Sequence, residues 1–166
     1  MYGLWNKNDS VGEDMSLEKI QKEYEKYDLP NFKRFNKEFE LSGMEFEKCD
    51  FLKGLCRGLV ARSTRLAGYV SPFFIPGGAY AAAVMSGVKD KEIIDEAKAL
   101  YRELIINYHQ GLKAELLGEK EQIAYIRDFV KKYFLWKKRT LALLDVCEQV
   151  FVKSFQERRE EMGYLG

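Results

Sequence analysis

No glycine or proline occurs between Glu119 and Met162, and apolar residues recur through that stretch at steps of three and four. The spacing predicts one continuous helix from Glu119 to about Arg159, about forty residues and roughly 60 Å long at ~1.5 Å per residue. A helix of that length decides most of the fold, because its apolar stripe stays in water unless other helices lie along it. With residues set about 100° apart, Ile123, Ile126, Phe129, Val130, Tyr133, Phe134, Leu141, Leu144, Cys147, Phe151 and Phe155 share one arc, the expected buried side. Lys131, Lys132, Lys138 and Arg139 fall on the opposite arc, with Leu135 and Trp136 near them, and Phe129 to Leu144 contains no Asp or Glu.

The rest of the chain keeps the same period. Ser16 is a plausible N-cap for a helix carrying Leu17, Ile20, Tyr24 and Tyr27 up to the break before Pro30. Phe32, Phe35 and Phe39 mark the buried side of a second short helix that Ser42-Gly43 ends. From Glu45 to about Ala67, Phe46, Cys49, Leu52, Cys56, Leu59, Val60 and Leu66 form the stripe, and Lys53, Arg57, Arg62 and Arg65 occupy the other half. Gly54 and Gly58 each cost about 0.5–1 kcal/mol in a helix interior, which close packing of another backbone would offset. Leu66 to Val88 is free of charge, long enough to span a bilayer. Pro72, Pro76, Gly77 and Gly78 break it, so a buried connection over 68–75 and a short small-residue helix from about Pro76 are expected instead of a membrane span. That helix, with Gly78 and Ala82 on it, is small enough on every side to be enclosed by others, within the domain or between subunits. Asp90 then caps a helix whose stripe includes Ile93, Ala97, Leu100, Leu104, Tyr108, Leu112 and Leu116, and Gly118 closes it. No strand-like alternation appears. The expected fold is all-α: a single-domain bundle of five or six helices over 16–166, with a long C-terminal helix, preceded by an N-terminal arm over 1–15. Leu4 and Trp5 are the arm's apolar residues, placed to tuck onto the domain or to clasp a neighbouring subunit.

Charge is balanced overall, 27 basic residues against 26 acidic, which excludes a uniformly basic nucleic-acid coat and an acidic solvating tail. Its distribution is uneven. Residues 51–89 carry 5 basic and 0 acidic groups and 128–144 carry 5 and 1, whereas 1–50 carry 8 and 12. If the two basic segments pack side by side, one face of the molecule is cationic. Cys49, Cys56 and Cys147 lack CxxC spacing, so they suggest neither a zinc site nor a disulfide framework, and buried thiols in a reducing, intracellular setting are expected. Met1 to Ser10 lacks the basic and apolar regions of a secretory signal.

A single histidine, His109, removes the paired Glu-x-x-His pattern of di-iron bundles, and neither GxxxxGK[ST] nor GxGxxG occurs. No metal or other cofactor is implied. The stretch from Arg102 to His109 resembles the Arg-x(4–6)-His signature of HEPN-type ribonucleases, small all-α domains that cut RNA without a metal. The resemblance rests on those two residues. It implies that His109 takes part in proton transfer at the RNA 2′-hydroxyl and that Arg102 stabilises phosphate charge. Spaced seven apart, they sit within about 20° on one helix face.

Three functions are compatible with these features. The favoured one is a non-enzymatic assembly protein that meets nucleic acid through Lys53, Arg57, Arg62, Arg65, Lys131, Lys132, Lys138 and Arg139, since phosphate contacts need cations but no sequence code. Leu4, Trp5, Gly78 and Ala82 are its expected oligomer contacts. The others are a helical adaptor for a protein partner and a HEPN-like ribonuclease.

Overall fold

The computed structural model describes residues 16–44, 46 and 50–163, with backbone alone at 155 and 157–163. Leu4, Trp5 and Cys49 lie outside the described residues. Among those described are six α-helices and no strand: α1 (Leu17–Tyr24), α2 (Phe32–Phe39), α3 (Phe51–Val70), α4 (Gly78–Gly87), α5 (Lys91–Leu117) and α6 (Glu119–Gly163). The bundle and its long C-terminal helix are as the periodicity predicts. Four starts are fixed by side-chain caps, in which Ser16, Asn31, Asp50 and Asp90 accept from the backbone N–H of Lys19, Arg34, Lys53 and Glu92. Each satisfies a donor that the first turn leaves unpaired.

The core is built on α3, α5 and α6. Gly118 alone connects α5 to α6, and the two helices run antiparallel: Tyr125 bonds Asn107, and Arg139 bonds Glu103 and Glu96 further along. Helix α3 runs antiparallel to α5, with Arg57 at Glu115 and Ser63 at Asn107. From Ile126 onward the buried positions of α6 are Ile126, Phe129, Tyr133, Trp136, Thr140, Leu143 and Cys147, alternating steps of three and four, after Gln122 and Tyr125 nearer its start. Helix α5 does the same through Ala97, Leu100, Leu104, Asn107, Gly111 and Ala114. That mean step of about 3.5 is the seam of helices packed side by side along their length.

The seam corrects several expectations. Trp136, expected near the basic patch, is 2% exposed and central, whereas Phe134 and Leu141, expected in the core, are 38% and 51% exposed. On α5, Leu112 and Leu116 leave the core, the latter 86% exposed. A strict 3.6-residue wheel drifts by about 20° per heptad from such a seam, enough to exchange neighbouring positions over several turns. Polar residues hid it further: Thr140 and Asn107 are buried in the seam, where Thr140 Oγ1 donates to Trp136 O at 2.9 Å one turn back and Asn107 Oδ1 accepts from Ser63 at 2.8 Å and Tyr125 at 3.2 Å on the neighbouring helices, its Nδ2 having no partner among the described residues.

Other boundaries also shift. Helix α1 ends at Tyr24, before Tyr27. Helix α3 starts at Phe51, where Asp50 caps it, and continues to Val70, so the expected buried connection is shortened and Ile75 is exposed. Helix α4 is not enclosed. Ala81 and Val84 are buried against the bundle while Ala79, Tyr80, Ala82 and Met85 face outward. At 45 residues, about 67 Å, α6 outruns α5, and α4 packs on its far half, where Tyr80 stacks on Phe151 at 5.5 Å and Gly87 admits Val150.

Candidate nucleic-acid interface

Helix α2, Phe-Lys-Arg-Phe-Asn-Lys-Glu-Phe, has one aromatic and one cationic side. Phe35 and Phe39 are buried, and Phe39 meets Tyr133 and Phe129 of α6 at ring distances of 4.9 and 5.9 Å. This contact seats α2 along α6 and turns Lys33, Arg34 and Lys37 outward. Between the two helices a groove of about 470 Å³ opens, walled by Leu29, Pro30, Arg34, Arg127, Lys131 and Phe134. That is within the usual range for ligand pockets, ~300–1,000 Å³.

Three of those residues are cations. Arg34 lies over the Phe134 ring, 5.1 Å from its centroid, an attraction of guanidinium for the ring's electron-rich face. Arg127 donates to the Asp28 backbone carbonyl at 2.6 Å and pairs with the Asp28 carboxylate at the groove's end. Lys131 has no ion pair among the described residues, and Lys138, two turns on along the same side of α6, has none either. Asp28 is the groove's one acidic residue, so its lining carries net positive charge.

The other expected cations are arranged differently. Lys132 pairs with Asp128 one turn away at 2.6 Å. Arg139 bridges to α5, its Nε to Glu96 at 2.6 Å and its Nη1 to Glu103 at 2.8 Å. Burial opposes ionisation of Glu103, yet hydrogen bonds from Arg139 and Trp136 hold its carboxyl below the usual range. Arg139 thus ties helices together. Lys53 pairs with Asp50 and Arg57 with Glu115, while Arg65 is exposed on α3. Arg62 donates to the Phe39 carbonyl at the end of α2. The hydrogen bond to Glu38 holds Lys137 above its ordinary range, against burial and the nearby Arg62 charge. Of the two basic segments, then, α3 brings Arg62 to the α2–α6 face and turns Arg57 to α5.

Sequence reasoning missed Lys33, Arg34, Lys37 and Arg127. The signal for the first three was the run of α2 itself, three cations against Glu38, submerged in a net acidic block, whereas Arg127 on α6 had none.

Arg102 and His109 are both exposed on α5, two turns apart, about 10 Å along the axis. The His109 ring meets Tyr108 edge-on. Gly78 and Ala82 are exposed on α4. Among the described residues no three His, Cys, Asp or Glu side chains converge as metal ligands would, and no helix is long and apolar enough to cross a membrane. Comparison with protein-family models, curated proteins and solved structures finds no match to this chain.

Proposed function

We propose that this chain is a non-enzymatic helical assembly protein that contacts nucleic acid through its α2–α6 face and packs into a homo-oligomer or larger complex. The observation that carries the reading is the groove between α2 and α6, where Arg34 and Lys131 face solvent without carboxylate partners among the described residues. Cations already engaged in ion pairs gain little from phosphate, whereas open ones displace the polymer's condensed counterions. The uncharged outer face of α4, with Tyr80 and Met85 exposed, and exposed Ile75 in the connection before it, supports self-association. Under a two-fold axis such a face meets its own copy without opposing like charges. Buried, unpaired Cys56 and Cys147 suit a reducing intracellular compartment.

Electrophoretic mobility with DNA and RNA between about 50 and 200 mM salt tests the reading. The expected result is a salt-sensitive shift, abolished in the triple variant Arg34→Glu, Lys131→Glu, Lys138→Glu. Arg139 is left intact because its loss would loosen α5 from α6. No shift at low salt would overturn nucleic-acid contact and favour the adaptor reading. A second reading, the metal-independent ribonuclease, is favoured by the joint exposure of Arg102 and His109 on one side of α5. In the same assay it requires RNA cleavage that His109→Ala abolishes.

A further inference from the structure

The groove is not a uniform cationic strip. Its walls mix two kinds of surface: the cations Arg34, Arg127 and Lys131, and an apolar side formed by Leu29, Pro30 and the half-open ring of Phe134. A duplex presents phosphates outward and keeps its bases stacked inside, so it can satisfy the first kind only. A single strand offers both kinds at once. Its unstacked bases have flat faces that match an aromatic ring or a guanidinium plane, and its backbone carries the phosphates.

Resting on the nucleic-acid reading above, we propose that the α2–α6 groove is a single-strand site in which one base stacks on the Phe134–Arg34 pair and a flanking phosphate meets Lys131, while Arg127 stays tied to Asp28 at the groove's end. The pair supplies two planar surfaces, with the Arg34 guanidinium 5.1 Å from the Phe134 ring centroid. Phe134 is well placed for this. It lies off the α6 seam and is 38% exposed, although a phenylalanine gains most by burial. The volume of about 470 Å³ is on the scale of a small ligand rather than a helix. Charge complementarity selects a polyanion, and the ring selects one with exposed planar groups. An acidic peptide satisfies the charge alone.

Fluorescence anisotropy separates these contributions. Its probes are a labelled single-stranded oligonucleotide, an abasic phosphodiester strand of equal length, the matching duplex and poly-glutamate. The single strand binds tightest, and Phe134→Ala weakens it by about ten-fold, the scale of losing one stacked base. The same variant leaves the abasic strand and the duplex unchanged, and Phe134→Trp restores single-strand binding. Lys131→Glu weakens every probe and lowers the salt slope. Thermal melting of each variant checks that it is folded. Equal binding of the abasic strand or of poly-glutamate overturns the stacking site while nucleic-acid contact stands, as does a Phe134→Ala variant that binds the single strand like the parent. Failure of every nucleic acid to bind at low salt overturns both.

Discussion

At the scale of single residues, two glycines show how one chemical change takes opposite signs. Gly118 makes the whole turn between α5 and α6 at φ 127° and ψ −172°, a region that side chains beyond glycine essentially never occupy. A Cβ there would meet nothing within 4 Å, so the penalty is purely conformational. Gly118→Ala is expected to cost about 1–3 kcal/mol. Gly68 also has open space around a Cβ, but it sits on the exposed side of α3 in ordinary helical geometry. There alanine removes conformational freedom from the unfolded chain, and Gly68→Ala is expected to gain about 0.5–1 kcal/mol. Urea unfolding of both variants checks the pair. Equal effects at the two sites would mean that the Gly118 conformation is not what sets the α5–α6 turn.

At the scale of helices, the seam of α6 makes a sharper claim than its overall amphipathicity. Leu141 and Leu143 are two positions apart and chemically identical, yet Leu143 is 4% exposed and Leu141 51%. Leu143→Ala opens a cavity in the core and should cost about 2–4 kcal/mol, while Leu141→Ala should stay within about 0.5 kcal/mol. Reversal of that order in denaturant melts would restore the wheel that puts Leu141 inside. The pair also shows where sequence reading stops. The existence of α6, the Gly118 break and the Asp90 and Ser16 caps were legible, because backbone chemistry marks them locally. The seam was not, because a few degrees per turn accumulate over a long helix and buried Thr140 and Asn107 look like surface residues until their partners are known. Lys131 could be named from its segment alone. Arg34 could not, since its neighbour Phe134 lies a hundred positions away and the contact exists only once Phe39 seats α2 on α6.

At the scale of the whole molecule, stability depends on groups kept neutral in the interior. The Tyr24 hydroxyl donates to the Pro30 carbonyl at 2.7 Å where α1 turns toward α2. Tyr125 and Cys56 lie in the centre, where α3, α5 and α6 meet. Burial pushes the pKa of both tyrosines well up, and burial, reinforced by the Glu115 and Asp50 charges, pushes the Cys56 thiol up to about 12. In the unfolded chain these groups ionise near their ordinary values, roughly 8.5 for the thiol and 10 for the phenols. Between the unfolded and folded values the native state holds more protons, so stability must fall as pH rises. Glu103 acts in the opposite sense: its lowered carboxyl contributes stability above its ordinary range and loses it as pH falls through the folded value. The urea midpoint should therefore be flat around neutrality and decline steadily above about pH 9. Cys56→Ala and Tyr24→Phe should each make the alkaline decline shallower even where they lower stability at neutral pH, because a smaller core group and a lost hydrogen bond act at every pH while ionisation does not. An alkaline slope unchanged in both variants would remove Cys56 and Tyr24 as its origin and leave Tyr125 and the surface groups to account for it.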